Sequence, residues 1–270
     1  MSYRLAVIGV GNMARAIISG IVRSDADVSD IYVYDKISCQ YKLLDEMGCK
    51  YLPFDSVAEA VQNADCVLLA VKPQNYDEVL SQISTVQDHS DKLYITIAAG
   101  ITVQAVSEAL GNAKVVRVLP NLPMTVGVGV SVICKNPLVS RQDFDFVTSL
   151  FASAGSSLLI DESEMNRIIG VTSSSPAYVF KFIDAVCKSA MLQGLPEEGL
   201  KEAVCDVFIG AATLLKHSEE TAEELISRVC SKGGTTEQAI GYMENADIDR
   251  IIHEAMVACT KRADELGKAK

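Results

Sequence analysis

The sequence predicts an α/β fold in which a doubly wound sheet is followed by an all-α domain. Three observations support this prediction. Strand and helix patterns alternate through roughly the first 160 residues, which is typical of parallel βαβ units with right-handed crossovers. A glycine-rich turn follows the first strand directly. From residue 162 onward the strand patterns stop, and helical periodicity continues to the end of the chain.

The predicted strands are short apolar runs with few charges, as expected of strands that are buried on both faces. Between them lie segments in which apolar residues recur at helical spacing. We predict strands at residues 5–8, 31–34, 66–71, 93–97, 114–119, 129–134 and 157–160, and helices directly after the glycine-rich turn and at residues 40–47, 76–86, 103–110 and 142–152.

The rest of the chain is predicted to form a separate helical domain, residues 162–270, after a sheet domain of residues 1–161. Gly194 is expected to end one helix, and Pro196 is expected at the amino terminus of the next. The helix before Gly194 carries apolar residues on more than one face, so this half is expected to complete its core against a second subunit. Helices are predicted at residues 163–169, 176–193, 196–216, 222–230, 235–243 and 248–266.

The glycine-rich turn has the pattern G-x-G-x-x-A between a strand and a helix, which is the setting of a dinucleotide-binding turn. Gly9 permits the tight turn, Gly11 lets a pyrophosphate approach the backbone, and Ala14 lets the helix pack close to the strand. Asn12 and Met13 belong to the turn, and the helix that follows it offers free N–H groups and a dipole that favour phosphate groups. The sheet is therefore predicted to be a Rossmann-type domain, with a purely structural glycine turn as the alternative.

An acidic residue, Asp35, follows the second predicted strand, 24 residues after Gly11. An acid at this position accepts hydrogen bonds from the adenosine ribose hydroxyls and repels a 2′-phosphate. The sequence therefore favours NADH over NADPH as the cofactor, a preference that Lys36 beside the acid weakens. A solvated charged turn is the alternative interpretation.

Two further strand ends are predicted to border the cofactor, because ligands of such sheets lie outside the carboxyl ends of the strands. Ala70, Val71, Lys72 and Pro73 end one strand and are expected near the nicotinamide ribose. The lysine among them is either a base or a solvated residue. Asn121 lies between two prolines in a rigid turn after another strand.

Residues 231–236, with the sequence Ser-Lys-Gly-Gly-Thr-Thr, precede another predicted helix. Several backbone N–H groups and two hydroxyls at a helix amino terminus form a device that binds carboxylates. The alternative is a helix N-cap joined to a flexible segment. Both interpretations stay open on the pattern alone.

Composition limits the partners, the cofactors and the location that we expect. The net charge of −11 and the pI near 4.8 argue against a nucleic acid as the main partner. No stretch approaches the ~20 apolar residues of a membrane span, and the amino terminus has no signal-peptide pattern, so we expect a cytoplasmic protein without membrane contact. The eight cysteines include no C-x-x-C pair, which predicts reduced thiols and no metal site.

Taken together, the motifs resemble those of the pyrroline-5-carboxylate reductase family over nearly the whole chain. Their order and spacing match as well as their residues, and the segment before the fifth helix of the helical half is the most specific. The matching segments are residues 8–14, 70–74, 120–123, 174–178, 194–196 and 231–236.

The resemblance implies that the chain reduces 1-pyrroline-5-carboxylate to L-proline by hydride transfer from NAD(P)H. It also implies a helical domain that forms homodimers, which in this family often assemble further, so a decamer is an expected larger form. In such enzymes the segment matching Ser231, Gly233, Gly234 and Thr235 holds the substrate carboxylate. The resemblance implies that Thr236, as the catalytic residue, hydrogen-bonds the ring nitrogen.

The resemblance also places Ser174 beside the nicotinamide and the substrate, and Glu219 near the site. The chain departs from the family pattern at three positions near these segments. Family members usually have glycine where this chain has Ser173 and Ser175, and proline where it has Lys232. The added Cβ atoms matter only where the backbone needs a positive φ, and the lysine adds a charge that favours an acidic substrate.

Two other functions remain as alternatives. β-Hydroxyacid dehydrogenases share the two-domain plan but use a lysine in the helical half, which Lys181 and Asp184 loosely imitate. Oxidation of a 3-hydroxy acid without imine reduction would support that function. A catalytically inactive, cofactor-binding regulator is favoured only by the serine and lysine substitutions, and it would bind the cofactor without turning over the imine.

Overall fold

A computed structural model describes residues 2–23 and 26–268 of the chain. The chain divides into two compact units. The first contains the residues up to Ser174 together with those from Ala258 onward, and the second runs from Ser175 to Val257. The sequence predicts a cofactor-binding domain up to residue 161 and a substrate-binding domain from residue 162. That functional division stays a prediction.

One sheet forms the centre of the first unit, with eight strands among the described residues. The strands are β1 (Tyr3–Ile8), β2 (Val28–Tyr34), β3 (Leu52–Pro53), β4 (Cys66–Leu69), β5 (Leu93–Thr96), β6 (Lys114–Leu119), β7 (Gly129–Lys135) and β8 (Gly155–Leu159). The helices are α1 (Asn12–Val22), α2 (Tyr41–Glu46), α3 (Val57–Asn63), α4 (Tyr76–Ile83), α5 (Val103–Ala109), α6 (Arg141–Ala152) and α7 (Met165–Ile168).

The strand order across the sheet is β3-β2-β1-β4-β5-β6-β7-β8. The chain therefore winds in one direction from β1 to β3 and in the other from β4 onward, which confirms the predicted doubly wound sheet. Most neighbouring strands run parallel. The point between β1 and β4 is where such sheets bind ligands, outside the carboxyl ends of the strands.

One pair of strands corrects the expectation of parallel units throughout, because β6 and β7 are antiparallel. A parallel neighbour needs a crossover of about a dozen residues or more, usually a helix. Between Leu119 and Gly129 the chain makes only a short 3₁₀ turn, Leu122–Val126, so β7 returns beside β6 in the opposite direction.

Two short elements, β3 and α3, are absent from the sequence-based prediction. β3 contains only two residues, and one of them is Pro53, which disfavours a strand. α3 has a signal that predicts its start, because Ser56 and Glu59 form the S-x-x-E pattern of a helix N-terminus. In the structure the Ser56 hydroxyl accepts a hydrogen bond from the Glu59 backbone N–H at 3.2 Å.

The hydrophobic core lies on both faces of the sheet, because successive residues of a strand point to opposite faces. In β1, Ala6 and Ile8 belong to one buried cluster, whereas Leu5 and Val7 belong to the other. All four side chains are fully buried, as in strands covered by helices on both sides. The packing on both faces holds the carboxyl end of β1, and with it the start of the glycine-rich turn, in place.

The second unit is helical. Its helix α9 begins at Leu200 instead of the predicted Pro196, because Gly199 takes a left-handed conformation at φ +73° and separates the proline from the helix. The helices are α8 (Ser175–Leu192), α9 (Leu200–His217), α10 (Ala222–Val229), α11 (Thr235–Asn245) and the beginning of α12 (Ile248–Lys268), whose end belongs to the first unit.

Large apolar side chains of the second unit are exposed. Leu192 is 89% and Val207 is 68% accessible to solvent, and Val204 is the single buried residue among the residues of this unit that the structure describes. Apolar surface on this scale marks an interaction site. Throughout the described ranges no helix has both the length and the hydrophobicity that a membrane crossing requires.

Candidate active site

A cavity of about 380 Å³ opens at the carboxyl ends of β1, β2 and β4, beside the reversal of the strand order. The glycine-rich turn, the end of β2, the segment after β4 and two residues of α4, Val79 and Gln82, contribute to its walls. The cavity brings together seven of the predicted cofactor-binding residues, Gly9, Gly11, Asp35, Lys36, Ala70, Val71 and Lys72.

Gly9 turns the chain out of β1 with a φ of +94°, a conformation that L side chains rarely adopt. Its backbone N–H donates to the carbonyl of Tyr34 at 2.8 Å, which ties the turn to the end of β2. A Cβ atom here would lie 3.0 Å from the backbone carbon and oxygen of Ala70. The turn therefore approaches β4 as closely as the backbone allows.

Gly11 precedes α1 as its N-cap, and no side chain of the described residues caps the helix there. Apart from Gly11 itself and its two chain neighbours, no heavy atom of the described residues lies within 4 Å of the place that a Gly11 Cβ would take, so this end of the helix opens into the cavity. Ala14 is buried and packs against the sheet. The Asn12 side chain instead accepts a hydrogen bond from the Arg15 guanidinium at 2.5 Å.

Arg15 supports the turn in a way that the sequence pattern does not reveal. Its guanidinium donates to the Val10 carbonyl at 2.9 Å and to the Gln40 side chain at 2.5 Å. The arginine thus joins the glycine-rich turn to the segment that follows β2. No motif marks it, because its partner in the turn is a backbone atom.

Asp35 also binds the backbone of the turn. Its Oδ2 accepts from the Val10 N–H at 2.6 Å, and its Oδ1 accepts from the Ile37 N–H at 2.8 Å. The Asp35 N–H donates in turn to the Tyr41 hydroxyl at 2.9 Å. The carboxylate lies in the wall of the cavity, where it orients the turn and keeps lone pairs for a further donor.

Lys36 forms an ion pair across this end of the cavity. Its Nζ lies 2.8 and 2.6 Å from the two carboxylate oxygens of Glu78 in the first turn of α4. The hydrogen bond to Glu78 raises the pKa of Lys36. The sequence gives no sign of this pair, because its members are far apart along the chain.

A second cavity, of about 300 Å³, shares Ala70, Val71 and Lys72 with the first. Met13 and Pro73 also line it, so the two cavities together contain nine of the predicted cofactor residues. The remaining lining comes from the ends of β5 and β6 and the segment before α8, namely Ile97, Ala98, Ala99, Leu119, Pro120, Ile169 and Ser173.

Asn121 is buried, and its side chain forms hydrogen bonds with two backbone groups. Its amide nitrogen donates to the Thr172 carbonyl at 3.1 Å, and its amide oxygen accepts from the Val130 N–H at 2.9 Å. It therefore holds the segment before α8 against the end of β6. Ser174, in that segment, is half-buried, and its N–H donates to the Ile169 carbonyl at 2.9 Å.

The predicted carboxylate-binding residues form a tight turn before α11 in the second unit. Gly233 has a φ of +72°, and the Gly234 N–H donates to the Ser231 carbonyl at 2.8 Å. A Cβ on Gly234 would lie 2.9 Å from the Ser231 backbone oxygen, so a side chain there would force the turn to shift. Thr235 and Thr236 are the first two residues of α11.

Glu237 accepts a hydrogen bond from one backbone N–H group of this turn. Its Oε2 accepts from the Gly233 N–H at 2.8 Å, so the turn already holds a carboxylate of its own chain. The predicted residue Glu219 lies between α9 and α10 and is exposed. All predicted substrate-binding residues except Ser174 thus belong to the second unit.

Lys181 and Asp184, the pair that imitates a dehydrogenase lysine site, form an exposed ion pair on α8. Lys181 is 78% exposed, and its Nζ lies 3.7 Å from Asp184, which binds Lys188 more closely at 2.7 Å. Within the part of the chain that the structure describes, no three His, Cys, Asp or Glu side chains group as they would around a metal ion.

Comparisons with known proteins match both halves of the chain. Residues 162–266 match a family model described as pyrroline-5-carboxylate reductase dimerisation, and residues 4–100 match one described as NADP oxidoreductase, coenzyme F420-dependent. The pyrroline-5-carboxylate reductase of Escherichia coli K12 is 34% identical over 275 residues, which cover 100% of each chain.

Solved structures are similar over nearly the full length. A pyrroline-5-carboxylate reductase from Coxiella burnetii is 28% identical, with a TM-score of 0.88 over 98% of this chain and 99% of that one. The NADP-bound pyrroline carboxylate reductase of Plasmodium falciparum shares the fold at 24% identity, with a TM-score of 0.86 over 98% of each chain.

Proposed function

Since the chain belongs to the pyrroline-5-carboxylate reductase family, we propose that its first unit binds the nicotinamide cofactor and its second unit binds the imino acid. The chain is an NAD(P)H-dependent oxidoreductase, and its reaction is the reduction of 1-pyrroline-5-carboxylate to L-proline. The match over the full length of a relative carries this function.

The residues around the first cavity fit a dinucleotide. The missing Cβ of Gly11 leaves open space at the uncapped amino terminus of α1, where backbone N–H groups attract a pyrophosphate. Asn12, Met13 and Ala14 shape that terminus, Asp35 accepts from the ribose hydroxyls, and residues 70–73 border the nicotinamide half. When bound, the cofactor supplies the hydride.

We further propose that NADH is preferred to NADPH. Asp35 places a negative charge in the cavity wall, and this charge repels a 2′-phosphate. A spectrophotometric assay at ~340 nm with the imine and each cofactor in turn tests both the activity and the preference, since it follows nicotinamide oxidation directly. Absence of oxidation would refute the function, and a tenfold preference for NADPH would refute the preference alone.

Ser231, Gly233, Gly234 and Thr235 are proposed to hold the substrate carboxylate. The turn presents backbone N–H groups and hydroxyls at the amino terminus of an eleven-residue helix, which favours an anion. Thr236 is proposed to orient the ring nitrogen. We also assign Ser174 and Glu219 to the substrate site.

The reaction requires little acid–base catalysis by the protein. A cyclic imine is electrophilic, and its protonated form more so, so hydride adds to the imine carbon once the two are aligned. Alignment of bound reactants supplies ~7–11 kcal/mol in well-oriented cases. A threonine hydroxyl is a weak acid, so Thr236 orients the nitrogen, while water or the iminium itself provides the proton.

Replacement of Thr236 by alanine is expected to lower kcat/KM by about 10- to 100-fold, or ~1.4–2.7 kcal/mol, because the ring nitrogen loses its hydrogen-bond partner. The matched control is Thr236→Ser, which keeps the hydroxyl and is expected to keep most of the activity. Steady-state kinetics with the imine as the varied substrate measures both variants. Unchanged kcat/KM in Thr236→Ala would remove this residue from the site.

The second unit matches a dimerisation domain, and we propose that the chain is a homodimer that can assemble into a decamer. The exposed apolar side chains of α8 and α9 support this proposal. Sedimentation equilibrium at micromolar concentration is expected to give at least twice the chain mass of 29.0 kDa. A single species of 29.0 kDa would contradict the proposal.

A cytoplasmic location completes the proposal, with the imino acid and further copies of the chain as partners and no nucleic acid or membrane among them. The net charge of −11 disfavours binding to a nucleic acid backbone.

A further inference from the structure

The Lys36–Glu78 ion pair lies at the adenosine end of the first cavity. Lys36 follows Asp35 at the end of β2 and lines the cavity from that side. Glu78 comes from α4, whose residues Val79 and Gln82 also line the cavity. The Nζ atom reaches both carboxylate oxygens, at 2.8 and 2.6 Å. The pair thus joins two walls of the cavity.

The ion pair determines the net charge of the cavity wall near a substituent on the 2′ position of the ribose. Asp35 contributes one negative charge to the wall, and Lys36 contributes a positive charge that Glu78 neutralises at hydrogen-bond distance. In such sheets an arginine near the acid that follows the second strand accommodates a 2′-phosphate, and Lys36 carries the same charge at that place. Here that lysine is held by an acid of its own chain.

We propose that Glu78 is a specificity-determining residue, which disfavours NADPH by keeping Lys36 away from the 2′-phosphate. The inference rests on the proposed cofactor site. Glu78 acts through Lys36 and is a positioning residue, since it does not line the cavity itself. Its effect is confined to the phosphorylated cofactor, because the NADH ribose carries hydroxyls that Asp35 serves.

Replacement of Glu78 by glutamine tests this proposal with an uncharged side chain of nearly the same shape. Titration of cofactor fluorescence in the absence of imine gives the Kd of each cofactor. The variant is expected to bind NADPH about fivefold more tightly, the scale of one exposed ion pair, and to bind NADH within about twofold of the unaltered protein. The gain is expected to shrink as salt increases, because exposed charges are screened.

Two further variants separate the proposal from a general effect of charge. In Lys36→Gln/Glu78→Gln the NADPH gain should disappear, because the group that contacts the phosphate is gone. Glu265→Gln removes an acid from another exposed ion pair, with Arg262 at 2.9 Å, and should leave both Kd values unchanged. Thermal unfolding of all variants shows that each is folded.

Three results would overturn the inference: no change in the NADPH Kd of Glu78→Gln, equal tightening of NADH, or a gain that persists in the double variant. Failure of the unaltered protein to bind either cofactor would overturn the proposed cofactor site and the inference with it. Normal binding by the unaltered protein, with no shift in Glu78→Gln, overturns the inference alone.

Discussion

Replacement of Gly9 by alanine is expected to weaken binding of both nicotinamide cofactors by about 30-fold or more, or ~2 kcal/mol. Gly9 has a φ of +94°, and its Cβ would lie 3.0 Å from the backbone of Ala70. A left-handed conformation costs an L residue roughly 1–2 kcal/mol, and the contact adds to this cost. The turn relieves the strain and the contact by moving away from β4. Cofactor binding must then restore the position of the turn, and this cost weakens the affinity.

Gly11→Ala is the matched variant for this prediction. Its φ is −74°, and a Cβ there has open space in the free chain. Thermal unfolding is therefore expected to match the unaltered protein, whereas the Kd should rise because the methyl group enters the space of the pyrophosphate. Gly9→Ala should lower both stability and affinity. Equal affinity for NADH in Gly9→Ala and in the unaltered protein would show that the turn does not bind the cofactor.

Of the substitutions considered, replacement of Gly155 by alanine is expected to lower the free energy of unfolding the most. Gly155 begins the edge strand β8 with a φ of +145°, opposite Gly129 in β7. A Cβ on Gly155 would lie 2.0 Å from the carbonyl oxygen of Gly129, which no small adjustment relieves. Backbone strain of about 1–3 kcal/mol and overpacking of about 1–3 kcal/mol together predict a loss of roughly 2–6 kcal/mol.

The measurement is thermal unfolding, where each kcal/mol of lost stability lowers Tm by about 2–4 °C in a chain of this size. Gly127→Ala controls for the backbone conformation, because Gly127 has a φ of +80° but, its chain neighbours aside, no heavy atom of the described residues lies within 4 Å of its Cβ position. This control should lose only about 1–2 kcal/mol. A Tm for Gly155→Ala equal to that of the control would show that β8 does not pair closely with β7.

Much of the fold follows from the sequence, because buried parallel strands and amphipathic helices leave clear periodic patterns. The direction of β7 did not follow from its own residues, since a strand has the same pattern in either direction. The length of the connection from Leu119 to Gly129 decides it, and that length excludes a crossover helix. Connection lengths therefore carry information that the alternation of elements does not.

The proposed cofactor site divides in the same way between what the sequence predicts and what it does not. Gly9 and Gly11 are predictable because their chemistry is local to one turn. The hydrogen bond from the Val10 N–H to Asp35 and the ion pair of Lys36 with Glu78 are not, because each joins segments that only the folded sheet brings together. An acid at the end of β2 thus has a second role, in orienting the turn, that the motif alone does not predict.

The contact of Glu237 with the turn before α11 bears on how the imino acid enters and how proline leaves. On the proposed assignment, an arriving carboxylate exchanges with the side chain that already accepts from the Gly233 N–H at 2.8 Å. The hydrogen bond that the ligand forms is offset by the one that the protein loses. On the same assignment, affinity for either acid is expected to stay moderate, and the returning glutamate is expected to help expel the product at the end of each turnover.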